Sequence, residues 1–179
     1  YRRQRQMCIR DRGPAIKAAV AAGVPVITMN SGLENSAALG ALMHVGQPEY
    51  LAGQKAGARA TAEGATKGLC MIQEAYNTAL VDRCEGYGEA VPMEYVDTTS
   101  DPATIVTRAT AALQANTDID AILSVGPHVC EGVAKAMDDL GMSGIHHSCF
   151  DLSPGVMDLI AADKVAFTID QQQRLQGYM

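Results

Sequence analysis

The chain has 179 residues, with 14 Lys plus Arg against 20 Asp plus Glu, 47% hydrophobic content, and six Tyr, two Phe and no Trp. A chain of this size buries roughly 70% of its unfolded surface and needs neither disulfides nor metal to fold, and no apolar run approaches the ~18 residues of a transmembrane helix. The net charge of −6 argues against a nucleic-acid-binding surface, which requires clustered Lys and Arg.

Residues 1–12, Tyr-Arg-Arg-Gln-Arg-Gln-Met-Cys-Ile-Arg-Asp-Arg, hold five of the fourteen basic residues and one acid, leaving a body of net charge −10. A basic arm for nucleic acid is one reading. The other, adopted here, is a non-native leader, because the string resembles a translated sequencing-adapter read and is then excluded from fold reasoning. The native chain would begin near Gly13, and a truncated chain could show no signal peptide.

Beyond the leader, apolar β-branched runs alternate with Ala-rich stretches of three-to-four spacing. Strands are expected at Val24 to Met29, Leu69 to Gln73, Met93 to Val96, Ala121 to Val125, His147 to Phe150 and Val165 to Ile169, each buried on both faces. Helices are expected at Pro48 to Gly64, Thr78 to Ala90, Pro102 to Asn116, Pro127 to Leu140 and Pro154 to Ala162. Asp101-Pro102 and Ser153-Pro154 each offer an N-cap followed by proline at the first helical position, and Gly23 and Gly141 stand at left-handed C-caps. This alternation predicts an α/β fold, a doubly wound parallel sheet with right-handed crossovers.

The five cysteines, at 8, 70, 84, 130 and 149, make no Cys-x-x-Cys and no zinc spacing. The last four lie in apolar or helical stretches, so buried free thiols are expected, with one disulfide as the alternative.

In parallel sheets of this kind, ligands bind beyond the carboxyl ends of the strands. The residues there are polar: Asn30 and Ser31, Glu74 and Asn77, Asp97, Gly126 with His128, Asp151, Asp170 and Gln171. No phosphate loop, dinucleotide fingerprint or His-Glu-x-x-His occurs, and Gly141-Met142-Ser143-Gly144-Ile145 breaks the nucleophile-elbow pattern. His147 and Cys149 share a strand face without a third ligand suggested by spacing, and His128 and Cys130 diverge on a helix. No catalytic residue, metal site or cofactor is therefore expected. What remains is a cleft lined by Asn, Ser, Arg, Asp and Gln, suited to a neutral polyhydroxyl ligand held by planar, paired hydrogen bonds.

Pro-Val-Ile-Thr-Met-Asn-Ser-Gly at 25–32, His-Val-Gly-Gln-Pro-Glu-Tyr-Leu-Ala-Gly at 44–53, Arg83-Cys84-Glu85-Gly86-Tyr87, Phe150-Asp151-Leu152-Ser153-Pro154 and Ile169-Asp170-Gln171-Gln172 occur in order from about Gly13 to Tyr178. Together they resemble the type I periplasmic binding proteins, the sugar-binding proteins of bacterial ABC transporters. The resemblance implies two α/β lobes joined by a three-stranded hinge and closing on a monosaccharide. It also implies a periplasmic location, an ABC permease as partner, a monomer and no enzymatic activity.

Residue by residue, the resemblance makes Arg83 a donor of paired hydrogen bonds to sugar oxygens and Asp151 an acceptor from adjacent hydroxyls. Gln171 matches a ligand-contacting position near the hinge, and Asn30 stands where the opposite lobe often has Asp or Asn. Ser31 replaces the basic residue of ribose binders. Gly126-Pro127 replaces an Asn-Asp pair, which shifts that role to backbone or to His128 and makes ribose itself a poor candidate.

The same comparison divides the chain into residues 13–67, a remnant of the N-terminal lobe, 68–171, the C-terminal lobe, and 172–179, the start of a return to the first lobe. A fragment without the opening strands is expected to bind sugar weakly or not at all. Two alternatives remain: the effector-binding core of a lactose-repressor-like regulator, and a doubly wound enzyme acting through Cys130 or His128.

Overall fold

The computed structural model describes residues 9–179, with side chains from Arg12 onward. Residues 1–8 of the expected leader lie outside the described residues. The described residues divide into two compact units, residues 9–48 with 172–179, and residues 49–171. The division falls ahead of the helix beginning at Glu49 rather than at the expected 67/68, because that helix packs within the second unit.

The first unit contains α1 (Ile9–Ala21), β1 (Ile27–Asn30), α2 (Leu33–Ser36), a 3-10 turn (Ala37–Leu39) and β2 (Met43–Gly46). Strands β1 and β2 pair in parallel, Thr28 opposite His44, and the Thr28 hydroxyl donates to Ser36 Oγ at 2.9 Å and lies 2.8 Å from His44 Nδ1. The strand begins at Ile27 rather than Val24, since Pro25 supplies no backbone N–H to a ladder. Ile27 and Met29 are more than half exposed, so β1 is not buried on both faces as expected.

The second unit holds α3 (Glu49–Ala62), β3 (Gly68–Ile72), α4 (Thr78–Gly88), β4 (Met93–Asp97), α5 (Pro102–Ala115), β5 (Ala121–Ser124), α6 (Pro127–Leu140), β6 (His146–Phe150), α7 (Pro154–Ala161) and β7 (Phe167–Ile169). The chain returns to the first unit as α8 (Gln173–Tyr178). All strand pairs of the five-stranded sheet are parallel, in the order β4-β3-β5-β6-β7.

Strand alternation sorts the core onto two faces. Cys70 and Ile72 pack with Cys84, Tyr87 and the alanines of α3, whereas Leu69 and Met71 pack with Ile105, Leu113, Val129 and Val133 from α5 and α6. Strands β3 and β5 are wholly buried. Strand β4 is an edge strand whose Glu94, Tyr95 and Asp97 face solvent, which corrects its expected two-faced burial.

The helix punctuation follows local chemistry. Asp101 Oδ2 accepts from the Thr104 N–H at 2.9 Å, Ser153 Oγ accepts from the Val156 N–H at 3.0 Å, and Gly141 ends α6 at φ 66. Among the described residues, no helix is long and apolar enough to cross a membrane.

The expectation of free thiols is overturned. Cys70 is bonded to Cys84 and Cys130 to Cys149, with Cα separations of 5.9 and 6.0 Å, inside the span of roughly 4.4–6.8 Å that a disulfide bridges. Each bond ties a strand to a helix lying on it, which spacing alone could not show. Cys8 lies outside the described residues.

Candidate functional site

Beyond the carboxyl ends of β3, β5, β6 and β7 lies a polar cluster centred on Arg83. Its helix, α4, approaches α3 unusually closely. A Cβ on Gly57 would lie 2.5 Å from the Tyr87 carbonyl oxygen, and one on Gly86 would lie 2.8 Å from the Gln54 nitrogen. This approach brings Glu49, in the first turn of α3, against Arg83, although the two are 34 residues apart in sequence.

Arg83 and Glu49 are both buried, at 3% and 7% exposure. Arg83 Nε donates to Glu49 Oε2 at 2.7 Å, Nη2 donates to Oε1 at 3.0 Å, and Nη1 donates to the Val125 carbonyl at 2.9 Å. The guanidinium lies 4.5 Å from the centroid of the Phe150 ring. Three N–H groups are thus committed within the protein, and the fork still has donors on Nη1 and Nη2.

Nη1 stands 3.8 Å from Asp151 Oδ2, too long for a direct hydrogen bond. A hydroxyl between them can accept from the guanidinium and donate to the carboxylate. Asp151 sits at the end of β6 with φ 70, a left-handed conformation that Asp and Asn tolerate and that concentrates at functional sites. Its backbone is held by the Asp151 N–H donating to Ile169 O at 2.8 Å and by Thr168 Oγ1 donating to its carbonyl at 2.6 Å. Gln171 Nε2 donates to Asp151 Oδ1 at 2.6 Å. Arg83, Asp151 and Gln171 therefore form one connected group.

The remaining expected residues are placed differently. Asn77 caps α4, its Oδ1 accepting from the Ala79 N–H at 3.2 Å and its amide donating to Glu74 Oε2 at 3.0 Å. Gly126 is buried at the start of α6, and His128 is exposed on the first turn of that helix. Asn30 and Ser31 belong to the first unit, Asn30 exposed at φ 70 and Ser31 half-buried.

Two residues were missed. Glu49 belongs to the motif at 44–53, yet nothing in its spacing signals a partner in α4. Gln73, read as the last residue of a strand, lies just past β3 with a buried Oε1 that has no hydrogen-bond partner. Its side chain occupies the space that a side chain at Gly126 would need, since a Cβ there would lie 2.8 Å from Gln73 Nε2.

Ligating atoms of Cys130, His147 and Cys149 come within 4.8 Å of one another, so Cys130 supplies the third member that sequence spacing did not suggest. The two sulfurs are joined, however, and offer no thiolates. His147 is fully buried beside Ser124 Oγ at 2.9 Å, and burial, aided by neighbouring His146, pushes its pKa down to about 3. A groove of about 320 Å³ between α6 and α7, lined by Glu131, Lys135, Asp138 and Leu159, lies apart from the Arg83 group.

The profile of the periplasmic binding protein domain matches residues 12–179. Among curated proteins, no relative matches the chain. Among solved structures, a carbohydrate transporter from Acidothermus cellulolyticus 11B, in complex with myo-inositol, superposes with a TM-score of 0.87 at 35% identity, over 95% of this chain and 60% of that one. A periplasmic sugar-binding protein of an ABC sugar transporter from Legionella pneumophila gives a TM-score of 0.84 at 20% identity, over 94% and 66%. GanP, a glucose-galactose binding protein from Geobacillus stearothermophilus, gives 0.80 at 22% identity, over 94% and 63%. The chain thus spans about 60% of the length of the first of these proteins. With parallel α/β units and a profile match over nearly its whole length, the chain belongs to the periplasmic binding protein domain family.

Proposed function

We propose that this chain is part of the solute-binding protein of a bacterial ABC transporter, and that it captures a neutral monosaccharide or cyclic polyol and delivers it to the membrane permease. The observation that carries the proposal is the arrangement of Arg83 and Asp151, a donor and an acceptor 3.8 Å apart, oriented by Glu49 and Gln171. Vicinal hydroxyls match such a pair because each hydroxyl can donate and accept. The relative from Acidothermus, which holds myo-inositol, supports this ligand class.

In this proposal Arg83, Asp151, Gln171 and Asn77, with Gly126 or His128, contribute from one lobe, and Asn30 and Ser31 from the other. Binding favours the closed state through its higher affinity for ligand, and the closed form is the one that docks on the permease. The protein works as a monomer without catalysis, and no residue group in the cluster calls for a cofactor. Two disulfides between buried cysteines support export to the oxidising periplasm. The regulator alternative is not favoured, since the relatives are transport proteins.

Calorimetric titration of the full-length protein with myo-inositol, D-glucose, D-galactose, D-allose and D-xylose tests the proposal. Micromolar or tighter binding of one of them is expected. Binding of none would overturn it.

A further inference from the structure

We infer that Glu49 is a specificity-determining residue, which acts through Arg83 to make the site select neutral polyols over acidic sugars; the inference rests on the sugar-binding proposal above. A buried arginine facing a ligand pocket ordinarily attracts carboxylates and phosphates, because its planar fork matches their paired oxygens. Here that pairing is already taken. The Glu49 carboxylate occupies the Nε and Nη2 edge of the guanidinium, at 2.7 and 3.0 Å.

What remains for a ligand is one donor on each of Nη1 and Nη2, at the end of the fork where Nη1 is fixed by the Val125 carbonyl and faces Asp151 Oδ2 at 3.8 Å. A hydroxyl fits that end as both acceptor and donor. A carboxylate does not, since it has no proton for Asp151 and would set a second negative charge directly against the Asp151 carboxylate. Replacing Glu49 with the nearly isosteric glutamine removes one negative charge and loosens the fork while leaving the volume unchanged.

The test is titration of the full-length protein and its Glu49→Gln variant with D-glucose, D-galactose and myo-inositol, and with D-glucuronate and D-galacturonate. For the wild type, a neutral compound should bind at least a hundredfold more tightly than either acid. In E49Q the neutral affinity should fall tenfold or more, and the neutral-over-acid ratio should shrink at least tenfold. A purely structural loss would lower both affinities together and leave the ratio in place.

A folded E49Q with an unchanged ratio overturns the inference and leaves the sugar-binding proposal intact. A wild type that binds neither class overturns both. Should E49Q fail to fold, Glu49→Asp keeps the charge but withdraws it by one methylene. Its neutral affinity should fall while the ratio holds, and loss of the ratio in that variant overturns the inference.

Discussion

The Gln171 side-chain amide donates to Asp151 Oδ1 at 2.6 Å, joining a residue two positions past β7 to the residue that follows β6. Asp151 therefore holds two positions at once, a left-handed backbone at φ 70 and a carboxylate oriented by Gln171 on one oxygen and facing Arg83 with the other. Glycine adopts that backbone without strain, whereas a β-branched residue does not. Asp151→Gly should keep the unfolding free energy within about 1 kcal/mol of wild type, and sugar affinity should fall at least a hundredfold. Asp151→Val should lose both affinity and stability. Urea unfolding alongside calorimetry separates the two roles, and a glycine variant that binds normally would remove Asp151 from the site.

Glu49 and Arg83 are buried partners, and the cost of breaking such a pair lies mainly in the charge left behind. Arg83→Ala should destabilise the second unit by about 3–5 kcal/mol, because it removes the guanidinium that holds both oxygens of the buried Glu49 carboxylate. In the double variant Arg83→Ala/Glu49→Ala the loss should be smaller than in R83A alone. Denaturant midpoints of the four proteins in this cycle measure the coupling. Additive losses would mean that the pair does not act as a unit.

Much of this architecture is legible in the chain because the signals are local. Asp101 and Ser153 cap α5 and α7 from within four residues, and Gly141 closes α6 with its own backbone. Asp151 and Gln171 lie just past strands, where strand ends direct attention to them, whereas Arg83 lies within α4 and is marked by the resemblance of its motif at 83–87. Short elements are harder: Met43–Gly46 offers only four residues, and its partner β1 exposes three of its four residues.

Relationships across sequence are not written in any window. Glu49 reaches Arg83 only because Gly53, Gly57 and Gly86 let two helix backbones approach closely. Cys70 sits in an all-apolar strand and therefore looks like another small buried residue, and only the side-chain direction of that strand brings it to Cys84.

The two disulfides close loops of 14 and 19 residues, each next to a site element. Cys84 directly follows Arg83, and Cys149 lies two residues before Asp151. Digestion with trypsin without reduction should release 68–83 joined to 84–108, and 109–135 joined to 136–164. Loops of this size contribute about 3 kcal/mol each, so reduction should lower Tm by roughly 6–12 °C per bond. Unlinked peptides from protein secreted through an oxidising compartment would contradict the pairing.

His147 gives the pH response a defined sign. Its folded pKa is about 3, against about 6.5 for an exposed histidine in the unfolded chain, because burial penalises the charged imidazolium. Between these values the unfolded chain binds the additional proton, so stability is full above about pH 6.5 and is lost as pH falls toward 3. The slope from this one group approaches about 1.4 kcal/mol per pH unit. Glu63 and Asp120 also have depressed values, Glu63 chiefly through hydrogen bonds from Arg59 and His146, and Asp120 through those from Lys67 and Thr66, which outweigh its desolvation. Their contributions fade only near and below the ordinary carboxylate range. A comparison between pH 7 and pH 5 therefore isolates the histidine. His147→Gln retains a hydrogen-bonding group for Ser124 and removes the titration. Unfolding free energies from urea titration should fall between pH 7 and pH 5 in the wild type by about 2 kcal/mol and stay nearly level in the variant. Equal slopes in the two proteins would show that His147 is not held neutral by burial.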